Sequence, residues 1–408
     1  MTRSHSRRIF LKNTLAGGAA FTFSAASYAR VLGANERVLI GLIGCGRRGQ
    51  DVQIPNIAKH AKAQNVEITT VCDPWRVSRD RAAAGIHEAF GRKARMFETF
   101  EDLLGARDID AVMITSCDHQ HARQLEAAVR AGMDVYCEKP IAKNLEELNR
   151  AYDAVKQSGK VVQVGTQLRS FASISGCRAL YETGVLGRVS RIEQRRNDKR
   201  PYWYDFIRDV KREDVNWDEF VMGCSRRVFD PVAYSAWIGY RDFSDGPIAQ
   251  LGVHFLDSVH FITGAGLPES CVSHGGTFTW NDEHRFDVPD HVQALWTYPE
   301  GFMVSYSTNF GNGSDNAVKI SGDEGTLDIS DWEEPLLITD EKGTESVEPV
   351  QRADHWLDWL QCLRTRKLPN ASIEAGYSQT VACLMAVKAY DTGRRMVFDA
   401  QRRAIREG

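Results

Sequence analysis

The sequence predicts an α/β fold in two parts, a parallel sheet covered by helices and then an α/β domain built on an open, mostly antiparallel sheet. Three observations carry this. Up to about Thr166, continuous apolar runs alternate with amphipathic stretches, the pattern of strands buried on both faces and the helices that cover them. From Val189 the runs lengthen and alternate apolar with polar residues, as strands with one wet face do. Between the first apolar run and the first helical stretch stands a glycine turn, GCGRRG, from Gly44 to Gly49.

In chain order, residues 1–29 read as an export leader. Arg3, Arg7 and Arg8 make a basic start, Thr14 to Ser27 a short apolar stretch broken by Gly17 and Gly18, and Ser27-Tyr28-Ala29 a small-x-small cleavage site. That stretch is too short to span a bilayer. The paired arginines before Phe10-Leu11-Lys12 resemble the twin-arginine export signal, which implies handling by that machinery and a periplasmic or otherwise exported location.

Residues 36–166 form the first domain. RVLIGLI, NVEITTVCD, DIDAVMITS, MDVYC and KVVQV are its strands, and RVSRDRAAAGIHEAFG, FEDLLGA, HARQLEAAVRAG and NLEELNRAYDAVKQSG carry apolar residues at helical spacing. Residues 167–400 form the second. RVSRIEQRRN, SCVSHGGTFTW, HVQALWTY, GFMVSYSTN, NAVKIS and GTLDIS make its sheet over residues 189–345, with GPIAQLGVHFLDSVHFITG a helix packed beside it. The tail, HWLDWLQCLRTRK and AGYSQTVACLMAVKAYDTG, reads as helical.

Composition narrows the function. The 51 Lys and Arg nearly balance the 54 Asp and Glu, so neither a nucleic-acid footprint nor a polyacidic partner is indicated. No later stretch approaches ~20 apolar residues, so no membrane span is expected. Nine cysteines, an odd number without a CxxC pair, argue against a metal site or a disulfide framework. Cys45, Cys72, Cys117 and Cys137, beside predicted strands, read as small buried hydrophobes.

Gly44, Gly46 and Gly49 form a GxGxxG that follows a strand and precedes a helix, and Asp73 ends the next strand 24 residues later. In that context the glycines permit a tight turn and close pyrophosphate approach at a helix N-terminus, while the acid takes the adenosine ribose hydroxyls. A carboxylate repels a 2′-phosphate and favours NAD, whereas Arg47, Arg48 and Arg76 keep NADP open.

EKP at Glu138 to Pro140, directly after a strand, together with the glycine motif, IDAVMIT, the His121 position, VQVGTQLRS, GVHFLD and GRRMVFD, resembles the Gfo/Idh/MocA superfamily over nearly the whole mature chain. The resemblance implies a Rossmann domain plus an α/β domain whose open sheet carries the substrate pocket on one face and a homo-oligomer contact on the other. It places Lys139 beside the nicotinamide, holding the reacting hydroxyl, and makes His254 the general base. It groups His121, Glu138 and Gln167 with the cofactor, and Arg169, Tyr204, Trp237, Arg241, His254 and Asp257 with the substrate. Where the family pattern D-x-x-x-H has its acid, this chain has Gln250, which orients but cannot take a proton. The relay then falls to His254 or His121. RPYWYDF and SAWIGYRDF add Tyr202, Trp203 and Tyr240, aromatic faces that suit a sugar whose hydroxyls hydrogen-bond.

A dinucleotide enzyme exported in the folded state has no nicotinamide pool outside, so the cofactor is expected to be held tightly and reset within each cycle. The leading expectation is an exported NAD(P)-dependent oxidoreductase acting on a sugar hydroxyl or ketone. The alternatives are a glycosidase working by transient oxidation, elimination and re-reduction, and a non-catalytic sugar-binding protein.

Overall fold

A computed structural model describes residues 37–408. The leader expected over residues 1–29 lies outside the described residues. The first sheet has six parallel strands, β1 (Val38–Ile43), β2 (Val66–Cys72), β3 (Arg95–Phe97), β4 (Ala111–Ile114), β5 (Asp134–Cys137) and β6 (Val162–Val164), in the order β3-β2-β1-β4-β5-β6. Helices α1 (Ile54–Gln64), α2 (Arg76–Phe90), α3 (Phe100–Gly105), α4 (Asp118–Arg130) and α5 (Leu145–Ser158) cover it. The strands are buried along nearly their whole length, which is why they read as unbroken apolar runs. The strand order reverses between β1 and β4, and a ligand crevice opens at the carboxyl ends of the strands beside such a reversal.

Helix α6 (Ala172–Glu182) leads to a ten-stranded sheet of β7 (Val189–Asp198), β8 (Ser270–Gly276), β9 (His291–Thr297), β10 (Met303–Phe310), β11 (Ala317–Gly322), β12 (Thr326–Asp328), β13 (Leu336–Thr339), β14 (Gly343–Ser346), β15 (Met396–Asp399) and β16 (Ala404–Glu407). Every pairing is antiparallel except β7 with β10. β9 and β10 alternate buried with exposed residues, so one face packs inward and the other meets solvent. Two short helices, α7 (Trp217–Val221) and α8 (Pro231–Ser235), lie in the connection that follows β7. Helix α9 (Val253–Thr263) follows a π-helical turn at Ile248–Gly252, where a continuous α-helix was expected. The tail holds α10 (His355–Thr365) and α11 (Ile373–Thr392), then the β15–β16 hairpin, which the sequence reading did not foresee because each strand is only four residues long.

The tail ties the two sheets together. Trp359, Leu360, Cys362 and Leu363 of α10 pack into one face of the first sheet with Ile40, Ile57 and Ile68, and Trp359 is fully buried. An apolar cluster runs from the other face through α6 and α9 to the inner face of the second sheet. All nine cysteines are free; Cys45, Cys72 and Cys137 are buried, whereas Cys117 is half-buried. Among the described residues no helix is long and apolar enough to cross a membrane.

Candidate active site

One cavity of about 580 Å³ lies along the switch point and is lined by the glycine turn, Asp73, Asp118, His121, Glu138, Lys139, Gln250 and His254. Gly44 sits at φ +90°, and a Cβ there would strike the backbone of Thr115 and Ser116 after β4. Only glycine combines that backbone with that approach. A Cβ at Gly49 would lie 2.6 Å from the Gly44 carbonyl oxygen, so this glycine serves close helix–strand packing. At Gly46 a Cβ would meet nothing within 4 Å, so the turn faces open space.

Asp73 is the turn's anchor. Its Oδ2 accepts from the Cys45 N–H (2.7 Å), and its Oδ1 accepts from the Trp75 N–H (2.8 Å) and the Tyr234 hydroxyl (3.3 Å). Burial pushes this carboxyl up, and those three donors pull against it. Tyr234 belongs to α8, so the second domain reaches over Asp73. Around it Asn216 donates to the Pro74 carbonyl (3.0 Å), Val215 bridges Trp75, and Asp214 pairs with Arg76 (2.6 Å). Arg76 is thereby committed to carboxylates, Asp80 being its second partner at 3.4 Å.

At the other end, Lys139 donates to both the backbone oxygen and Oε1 of Gln250, each at 3.1 Å. Gln250 lies in the π-helical turn, a distortion that recurs at functional sites. Burial lowers the Lys139 ammonium below its ordinary range, with Asp118 and Glu138 opposing. Glu138 is gripped by Arg48 (2.6 Å), Gln53 (2.8 Å) and the Tyr136 hydroxyl (3.3 Å). Burial alone would raise it, but Arg48 and Lys139 carry it below the usual carboxylate value. Gln167 stands behind Arg48; with its amide turned so that the oxygen meets Arg48 and the nitrogen the Gly165 carbonyl, it accepts at 3.0 Å and donates at 2.8 Å. His254 has a buried Nδ1 with no partner among the described residues. Burial, then Lys139 and Arg48, hold this imidazole well below 6.5, so it is neutral at neutral pH and able to accept a proton.

His121 differs. Its Nδ1 faces the Pro140 carbonyl (2.7 Å) and its Nε2 the Ser116 carbonyl (3.1 Å), so the ring clamps the ends of β4 and β5 together. Of the other expected site residues, Arg47 and Trp237 line the cavity, Arg47 standing over the Phe206 ring at 5.4 Å. Four expected substrate residues, Arg169, Tyr204, Arg241 and Asp257, do not line it, because each pairs elsewhere. Arg169 pairs with Asp257 at 2.6 Å in the interior. The Tyr204 hydroxyl donates to Asp282 (2.7 Å), and Arg241 binds Asp391 (2.7 Å). Asp118, Arg208 and Tyr234, which sequence reasoning missed, do line the cavity. Asp118 had a readable signal, since it stands just past the carboxyl end of β4 beside the switch point.

These residues fit a dinucleotide: open space over Gly46, an acid at the end of β2 and an orphaned His254 nitrogen at the far end. Fold and site define a two-domain dinucleotide-binding protein. The chain belongs to the Gfo/Idh/MocA family. A model described as "Oxidoreductase family, NAD-binding Rossmann fold" matches residues 38–166, and one described as "GFO/IDH/MocA C-terminal domain" matches residues 175–328. The chain is similar to inositol 2-dehydrogenase 3 of Saccharopolyspora erythraea, 36% identical over 151 residues, 37% of this chain and 42% of that protein. It spans about half the length of several curated relatives that it matches. Among solved structures it resembles the WlbA dehydrogenase of Bordetella pertussis, solved with NADH and UDP-GlcNAcA (TM-score 0.66, 20% identity, 89% of this chain and 98% of that one). It also resembles the aldose-aldose oxidoreductase of Caulobacter crescentus (TM-score 0.68, 18% identity, 89% and 100%). At those identities the likeness shows the fold.

Proposed function

We propose that this protein is an NAD-dependent oxidoreductase acting on a CH–OH group of a sugar or polyol. The observation that carries the reading is the meeting of Lys139 and the neutral, unpartnered His254 in the same cavity as the glycine turn and Asp73. A bound nicotinamide supplies the acceptor for the hydride leaving the carbinol carbon. Two of the three Lys139 donors are taken by Gln250, leaving the third for the substrate hydroxyl. An ammonium there lowers the alcohol's pKa and stabilises the oxyanion, while His254 accepts the hydroxyl proton. Relatives named as inositol dehydrogenases favour this redox reading over the glycosidase and the binding protein.

NAD is preferred to NADP because a carboxylate at the end of β2 repels a 2′-phosphate and Arg76 is held by Asp214. The second domain's cover over Asp73 supports a cofactor that stays bound through turnover, in keeping with the twin-arginine leader and an exported location. The solvent-facing side of the second sheet, where Val272, Leu295 and Met303 are exposed, supports self-association. The test is to purify the mature protein without added cofactor, release its nucleotide by denaturation and incubate the intact protein with polyols and aldoses. Bound NAD reduced by one of them is the expected result. A protein that neither carries nor takes up NAD or NADP overturns the proposal.

A further inference from the structure

Behind Lys139 stands a carboxylate from a different part of the chain. Gln250 Nε2 donates to both oxygens of Asp118, each at 2.6 Å, while Gln250 Oε1 accepts from Lys139. Ser244 Oγ donates to Asp118 Oδ2 at 2.8 Å, and the same Oγ accepts from the Gly246 N–H. Every hydrogen-bond partner of the Asp118 side chain is thus a donor. The Gln250 NH2 can only donate, and the Ser244 hydroxyl, which accepts from the Gly246 N–H, turns its own proton to Asp118, so the surroundings favour the ionised form against the burial that opposes it. Asp118 is almost fully buried, and a buried charge persists only when paired and hydrogen-bonded. With an ammonium on one side and a carboxylate on the other, the Gln250 amide has one permitted orientation, oxygen to Lys139 and nitrogen to Asp118.

We propose that Asp118 is the counter-ion of the candidate active site: acting through the Gln250 amide, it keeps Lys139 aimed into the cavity and in its ammonium form. It is a positioning residue, since its contacts are with Gln250 and Ser244. The inference rests on the oxidoreductase reading for its catalytic meaning, though not for the charge relation itself. Lys139 is faced by Asp118 from α4, Glu138 from the end of β5, Arg48 from the glycine turn, His254 from α9 and Cys383 from α11. Glu138 is already matched by Arg48 at 2.6 Å, whereas Asp118 has no cation in direct contact among the described residues and meets Lys139 through the Gln250 amide. Asp118 in turn is faced by His121 and Lys139, with Tyr202 and Asp245 nearby. Burial works against both charges, and each opposes the other's neutralisation.

The test follows the lysine itself. The protein with its nucleotide bound is labelled at lysine Cε with carbon-13, the Lys139 resonance is identified by its loss in Lys139→Met, and its titration is followed by NMR. Asp118→Asn keeps an oxygen to accept from Gln250 while removing the charge, and is expected to move the Lys139 titration down by about one unit or more. In D118N/Q250E the carboxylate is restored beside Lys139, and the titration is expected to return upward. A merely structural Asp118 changes stability and leaves the titration where it was, and that result overturns the proposal. Should D118N fail to fold, Ser244→Ala removes one donor from Asp118 and is expected to shift Lys139 the same way by less, no shift again overturning it. The alkaline limb of kcat/KM against pH is recorded beside the titration. A limb that stays fixed while Lys139 moves refutes the oxidoreductase role of Lys139 and leaves the Asp118 charge relation standing.

Discussion

Replacing Asp73 by Asn tests how the fold reads its cofactor. In the structure one carboxylate oxygen accepts from Cys45 N–H and the other from Trp75 N–H and the Tyr234 hydroxyl. An amide keeps one acceptor, but its NH2 must face one of those donors. A buried donor left unsatisfied costs about 1–3 kcal/mol, so the unfolding free energy is expected to fall by that amount in urea. The same change removes the charge that we propose meets the ribose hydroxyls, where a charge-assisted hydrogen bond is worth about 1.5–3 kcal/mol. NAD affinity is then expected to drop roughly 10- to 150-fold. NADP loses a repulsive charge and gains relative to NAD, so the preference ratio is expected to shift toward NADP by about tenfold or more. Tryptophan fluorescence titration of the nucleotide-free protein measures both constants. An unchanged ratio with normal NAD binding refutes the role given to Asp73.

Three further outcomes are expected. His254 is neutral down to well below pH 6.5, since burial lowers it and the base form is the one present above its pKa. The acid limb of kcat/KM therefore falls well below pH 6.5, as a pH-rate profile of the free enzyme reads, and a limb near the ordinary histidine value contradicts the assignment. Gly44→Ala forces a side chain into φ +90° and against the Thr115–Ser116 backbone, and is expected to abolish nucleotide retention on gel filtration. Trp359→Ala empties a fully buried site beside Tyr136 and is expected to cost about 3–5 kcal/mol in denaturant unfolding.

The fold was legible because its signals are local. Strands buried on both faces announce themselves as apolar runs, wet-faced strands as alternation, and the glycine turn by the backbone it demands at Gly44. The site was only partly legible. Lys139 and the glycine turn lie at strand ends within one domain, where chain order and space agree. Asp118 and Gln250 are 132 residues apart and meet only when α4 and the π-helical turn pack. The pairing of Arg169 with Asp257 has the same character, since a buried partner 88 residues away claims a side chain that otherwise looks available. Gln250 and His254 lie in a stretch that reads as one continuous helix, whereas in the fold Gln250 sits in a π-helical turn and its carbonyl oxygen accepts from Lys139. A departure at position 250 looked like the loss of a proton relay. In the folded chain that amide joins the lysine to a carboxylate.

We propose that Lys139 and His254 assist the oxidation of a sugar or polyol carbinol, the hydride passing to a nicotinamide nucleotide that the cavity lined by the glycine turn would hold. The direct test is a single-turnover experiment on the NAD-loaded protein, following the near-ultraviolet absorbance of reduced nicotinamide while polyols and aldoses are added in turn. Reduction by at least one of them is expected, slowed by roughly 10²- to 10⁴-fold in Lys139→Met and in His254→Ala while each variant still binds NAD. Reduction at the full rate in Lys139→Met, or no reduction by any polyol or aldose in the NAD-loaded wild type, would contradict it.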